Sequence, residues 1–232
     1  MNLEEINTQL EDELTWRQDE IRFLHNQLSY ITKEDDKKCY RKALVVMLYS
    51  HFEGFCKAAF SIYANAINQE NLTCSHVTDQ IIASSLAIVF RDLENMNKKS
   101  SLFKNDLPDD RIIHRFARQV ELINNLNVIW TRRVNIPIDD VVDTEANLKP
   151  SIMRKILYRL GLPHDAFNEN EGKLHSLLNY RNKIAHGSAK DGLDEKQYEE
   201  IQTSTIGIMS STIKMIMNAL SETKYLRKDT VI

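Results

Sequence analysis

Glycine and proline are scarce in this chain, with 6 and 4 among 232 residues. A turn-rich β fold needs both at its corners, so their scarcity argues for long helices. Cysteine is nearly absent. Cys39, Cys56 and Cys74 are odd in number and show no C-x-x-C spacing, which suits a reducing cytoplasm. No apolar run approaches the ~20 residues that span a bilayer, and the opening Met1-Asn2-Leu3-Glu4-Glu5 is acidic, unlike a signal peptide. There is no strong charge of either sign. A formal net charge of −3 gives no global basic field, so RNA binding would need a local basic surface. The histidines are scattered, without H-x-x-x-H or H-E-x-x-H, and no G-x-x-x-x-G-K occurs. Neither a metal site nor a phosphate-cradling loop is expected, and no cofactor. The expectation is a soluble cytoplasmic protein that does not enter membranes.

What the chain does have is apolar residues at helical spacing, and 42% of it is hydrophobic. Residues 3–31 read as one helix with two stripes. Leu10, Leu14, Ile21, Leu24, Leu28 and Ile31 form one, and Trp16, Phe23 and Tyr30 the other. Both stripes could face one bundle, or the second could meet another copy. Residues 37–68 form the most hydrophobic helix, preceded by a charged turn in which Asp35 or Asp36 is a candidate N-cap. It is apolar nearly all round from Ala43 to Tyr49, which predicts a central position. One further helix is expected over 76–96, a polar loop over 97–108, and a helix opened by Asp109 that carries Ile112, Ile113, Phe116, Val120 and Ile123. Residues 130–147 are the irregular connection, with 134–142 either extended or a short hairpin arm. Pro150 suits a helix's first turn, and Gly161 closes that helix. Asp194 caps a final helix reaching about Leu220. With no repeat, low-complexity tract or linker, residues 1–232 read as a single all-α domain, a helical bundle with short additions.

The chemistry concentrates near the end of the penultimate helix. Leu174, Leu177, Leu178, Ile184 and Ala185 define an inward face, and Arg181 lies on it. A guanidinium there needs a partner or an open polar site. Glu53, in the hydrophobic helix, equally needs a cation or a donor, or else faces solvent; pairing of the two is one option. Asn182 precedes His186 by four residues, within reach of its imidazole, and Gly187 can end the helix in the left-handed conformation.

Arg181-Asn182-Lys183-Ile184-Ala185-His186 resembles the R-N-x-x-x-H form of the R-x(4–6)-H motif of HEPN domains. The flanking Leu177-Leu178-Asn179-Tyr180 and Gly187-Ser188 are similar too, as are residues 41–55 and 147–162, so the resemblance runs over about 14–220. Arg159 and His164 share the bare spacing, but Gly161 and Pro163 interrupt the helix between them. The resemblance implies an HEPN-like helical bundle and a metal-independent endoribonuclease acting as a homodimer. It further implies the toxin or effector of a bacterial toxin–antitoxin or anti-phage system, with an antitoxin or defence partner. In that reading Arg181, His186 and Asn182 are catalytic and Glu53 supports them, while Lys183 and the basic cluster of Lys37, Lys38, Arg41 and Lys42, chiefly Arg41 and Lys42, would contact RNA unless that cluster is only a solvated helix face. Some HEPN toxins carry a modified Tyr two residues after the His; Ser188 stands there, which speaks against that form of regulation. A different reading is a non-catalytic HEPN module that binds RNA, nucleotide or protein, and a third is a structural adaptor using the aromatic stripe. The plainest is a capped helix end with a solvated Arg and a satisfied His.

Overall fold

A computed structural model describes residues 1–103 and 110–228. Ten α-helices lie among the described residues: α1 (Leu3–Asn26), α2 (Glu34–Gln69), α3 (Asp79–Ser85), α4 (Ala87–Glu94), α5 (Arg111–Asn124), α6 (Leu126–Ile129), α7 (Ile138–Val141), α8 (Pro150–Arg159), α9 (Glu171–Ala185) and α10 (Glu195–Ser221). Among these residues the only β pairing is two isolated bridges, Thr73 with Arg133 and Val77 with Leu226. The fold is all-α, as the scarcity of glycine and proline predicts.

Helix α2 is the axis. Burial of Leu44, Val45, Leu48, Tyr49, Phe52, Phe55, Phe60 and Tyr63 surrounds it with apolar contact on most sides. Helices α1, α10 and α9 pack directly on it. The first stripe of α1 faces this core, through Leu10, Leu14 and Ile21. Of the second stripe, Phe23, and Tyr30 in the 3-10 turn that follows α1, are exposed, while the half-exposed Trp16 lays its ring edge-on to His51 of α2, so this stripe does not face the core as the first does.

Local chemistry sets the helix ends. Asn2 accepts from the Glu5 N–H, and Asp194 accepts from the Gln197 N–H. Pro150 occupies the first turn of α8, and Gly161 beyond its end takes φ +67°. In α2 the expected cap is displaced. The helix begins at Glu34, so Asp35 and Asp36 sit inside the first turn, where their charges oppose the positive end of the helix dipole. Asp109 lies outside the described residues; Asp110 caps α5 by accepting from Ile112 N and Ile113 N.

The single helix expected over 76–96 is divided at Leu86 into α3 and α4. Two buried serines before the break hold other segments: Ser84 Oγ donates to the Arg159 carbonyl, and Ser85 Oγ accepts from Asn135 N. Trp130–Arg132 turn the chain out of α6, and 133–137 then run without helix, with Cys74 N donating to Arg132 O and Val134 N to Leu72 O. The one-turn α7 follows, and no hairpin arm forms there. Helix α5 docks by its polar side. Arg118 is buried and donates to the carbonyls of Asn95 (2.9 Å), Lys98 and His114, while Ile112, Phe116 and Ile123 face solvent.

Candidate functional site

Leu174, Leu177 and Leu178 bury one face of α9 against the bundle, and Ile184 packs partly against it. Ala185, expected on the same face, is exposed because the helix ends there. The ending is a two-bond cap: Gly187 N donates to Ile184 O (3.0 Å) and Ser188 N to Lys183 O (2.9 Å). Gly187 adopts φ +69°, a conformation that favours glycine. His186 is the last residue before that turn, and it is exposed.

Arg181 is half-buried. Its Nη1 donates to Asn182 Oδ1 (2.8 Å), and its guanidinium carbon lies 4.7 Å from the centroid of the Tyr49 ring. The Tyr49 ring is fixed in turn. Its hydroxyl donates to Asn147 Oδ1 (2.8 Å) and accepts from Leu148 N (2.8 Å), tying α2 to the segment before α8. Burial pushes the Tyr49 phenol up, the Glu53 charge adds to that, and Arg181 opposes it.

This geometry revises two expectations. Glu53 and Arg181 form no ion pair within 4.0 Å; both act on Tyr49 instead. The oxygen of the Asn182 side chain engages Arg181, and the Asn182 carbonyl accepts from the His186 backbone N–H (2.9 Å). Asn182 therefore positions the guanidinium and not the imidazole.

The expected RNA contacts are corrected as well. Arg41 is 3% exposed, and its Nη1 donates to Glu34 Oε1 (2.8 Å) and to the Leu193 carbonyl (3.3 Å). Lys42 Nζ donates to the carbonyls of Ala189 (3.1 Å) and Lys190 (3.3 Å). Leu193 N donates to Lys38 O (3.2 Å), and a Cβ on Gly192 would lie 2.2 Å from the Lys38 Cβ. Arg41 and Lys42 thus strap residues 189–193, just after the motif, onto the start of α2. A buried, paired guanidinium has no donor left facing solvent for a phosphate. Lys183 is exposed and stays a candidate RNA contact.

The Arg159–His164 pair is separated by the structure: Arg159 Nη1 donates to the Asp140 carbonyl (2.9 Å), and His164 lies edge-on to Tyr158. Neighbouring basic residues are engaged too, Arg154 with Glu171 (2.7 Å) and Lys155 with Glu145 (2.5 Å). Sequence reasoning missed Tyr49 and Asn147. The available signal was a hydroxyl inside an almost wholly apolar helix, one turn before Glu53, where an unpartnered O–H would be costly.

The family model described as HEPN_MAE_28990-like HEPN matches residues 6–225, nearly the whole chain. No curated protein and no solved structure shows a significant match.

Proposed function

Since the chain belongs to the HEPN_MAE_28990-like HEPN family, we propose that it is a metal-independent endoribonuclease working as a homodimer. One observation carries the reading. Arg181 is held by the Tyr49 face and Asn182, while His186 stands exposed at the capped end of the same helix. A guanidinium fixed in place is suited to meeting the charge that builds on a phosphorane. An imidazole titrates near neutrality and can take the proton of a 2′-hydroxyl. The 2′-oxygen then bonds to phosphorus and the bond to the 5′-oxygen breaks. An imidazolium or solvent returns a proton to the leaving oxygen. The products are a 2′,3′-cyclic phosphate and a 5′-hydroxyl.

Five residues along a helix turn through about 140° beyond a full turn, so one copy does not readily aim both side chains at one phosphate. Two motifs in one two-fold cleft resolve this. The effector role in a toxin–antitoxin or anti-phage system extends the same reading, with growth arrest on expression relieved by His186→Ala.

The test is RNA cleavage by purified parent, His186→Ala and Arg181→Lys in EDTA. Both variants should keep their helix content and dimer mass, and His186→Ala should lose about 10²–10⁴-fold in rate. Arg181→Lys keeps the charge but loses the planar fork, so it should also be strongly impaired. Cleavage by folded His186→Ala at the parent's rate overturns the reading, as does activity that EDTA abolishes and a divalent ion restores. A non-catalytic module is the second reading. It is favoured by the Asn182 oxygen engaging Arg181, which leaves the imidazole unoriented by it. RNA binding without cleavage in any variant would select it.

A further inference from the structure

A cavity of about 630 Å³ lies where α4, the chain that follows it, α5 and α6 meet, and no residue of α9 lines it. Its walls are aliphatic. Leu86, Val89 and Leu93 come from α4 and its start, Leu122, Val128 and Ile129 from α5 and α6, and none of the described lining residues is aromatic. Its charges do not balance. Lys98, Lys99, Arg118 and Arg132 line it against Asp92 and Glu121. Asp92 is taken by Lys98, and among the described residues Glu121 forms no ion pair within 4.0 Å.

Arg118 is the unusual member. It is 7% exposed, and no carboxylate of the described residues lies within 4.0 Å of it. Three of the five guanidinium N–H groups donate to the carbonyls of Asn95 (2.9 Å), His114 (3.2 Å) and Lys98. The Nε–H is buried and has no partner. Carbonyl dipoles hold the side chain in place but leave its charge unneutralised, which is costly in a buried position. An anion in the adjoining cavity offsets that cost. Lys99 and Arg132 are exposed and tied to no other side chain among the described residues, so they can meet such an anion directly.

We propose that this cavity binds a small amphipathic anion, an aliphatic chain with a carboxylate head. Its volume falls within the range of small-molecule sites, which pair apolar walls with a few placed polar groups. A bare inorganic anion would leave the aliphatic walls unused. A nucleotide would find no aromatic face for its base to stack on. The site is separate from Arg181 and His186, and it stands whether or not the chain cleaves RNA. A bound chain bridges α4 to α5, adding apolar contact to a docking that otherwise rests on Arg118 and its carbonyls.

The experiment is calorimetric titration of the full-length protein with octanoate, octanol and adenosine monophosphate. Octanoate should bind at one site per chain, and each of the other two at least tenfold more weakly. Lys99→Gln combined with Arg132→Gln changes only exposed side chains, so the urea midpoint should hold while octanoate binding weakens about tenfold. Leu93→Trp fills the cavity from its wall and should abolish binding. Phe116→Ser, on the exposed outer face of α5 and outside the cavity, should bind octanoate as the parent does. The proposal is overturned if octanoate does not bind, or if octanol or the nucleotide binds as tightly. It is equally overturned if the folded double variant keeps the parent's affinity, or if Phe116→Ser loses binding, which would place the ligand on the outer face of α5.

Discussion

The guanidinium of Arg181 lies over the ring of Tyr49, 4.7 Å from its centroid, so the motif arginine rests on the central helix and not on Glu53. The ring is held by Asn147 and Leu148, so the position of Arg181 depends on a contact 98 residues away from Tyr49 in sequence. The aromatic face attracts the cation, and the hydroxyl keeps the face in place.

Two substitutions separate those roles. Tyr49→Phe keeps the ring and leaves the buried Leu148 N–H without its acceptor, which should cost about 1–3 kcal/mol. Cleavage of RNA should survive in the folded fraction. Tyr49→Leu removes the ring as well, and its cleavage rate should fall well below that of Tyr49→Phe. Urea unfolding gives the first comparison and single-turnover cleavage the second. Equal rates for the two variants would rule out the ring as the support of Arg181.

Gly192→Ala tests the strap behind the motif. An added Cβ would lie 2.2 Å from Lys38 Cβ and 2.6 Å from its backbone carbon. Backbone cannot yield as a flexible side chain does, so residues 189–193 should lift away, at a cost of about 1–3 kcal/mol. The expected outcome is a lower urea midpoint and earlier proteolytic cutting within 188–193. Gly172→Ala is the control, since nothing lies within 4 Å of its Cβ position. An unchanged midpoint for Gly192→Ala would show that the strap yields freely.

The long helices were legible because periodicity and caps report on neighbours in sequence. Pro150, Gly161, Gly187 and Asp194 all act where their chemistry places them. Periodicity also gave α5 its apolar face, but it could not say that Arg118 would find the carbonyls after α4 and turn that face outward. The same limit explains Arg41. A charge cluster at the start of α2 reads as a phosphate site until the loop at Leu193, 152 residues on, brings its carbonyl to the guanidinium. Asn182 was placed within reach of His186 by helical spacing, yet its immediate neighbour Arg181 takes its oxygen. Sequence distance fixed the candidates there, and packing chose among them.

His51 makes stability depend on pH. Burial between α1 and α2 holds its imidazole below the ordinary value, with Glu20 (3.1 Å) pulling it up and Arg17 adding to the depression. Trp16 lies edge-on beside it. The folded state therefore binds this proton less readily than the unfolded chain does. Its contribution is fully present above the unfolded value near 6.5 and is lost as pH falls from there toward the lower folded value. Between pH 7 and 5.5 the urea midpoint of His51→Gln should fall less than the parent's. A steeper fall in the variant would reverse the sign and refute the account.

The sharpest contrast is between Arg41 and Lys183, two cations that look alike in the sequence. Arg41 is buried, and its loss leaves the Leu193 carbonyl without a donor, so Arg41→Gln should lower stability by about 1–3 kcal/mol. The Glu34 carboxyl, held below its usual value chiefly by the hydrogen bond from Arg41, should titrate at higher pH in that variant. Neither effect involves RNA. Lys183 is exposed beside the motif and makes no comparable tie with its side chain, so Lys183→Gln should leave the urea midpoint nearly unchanged. It should instead reduce the dependence of RNA affinity on salt, by a slope of about 0.7 for one lost contact to a single strand. Arg41→Gln, measured well below its unfolding transition, should keep the parent's slope. The two variants thus move different observables. A reduced salt slope in a fully stable Arg41→Gln protein would return Arg41 to the RNA surface and remove the strap's main anchor.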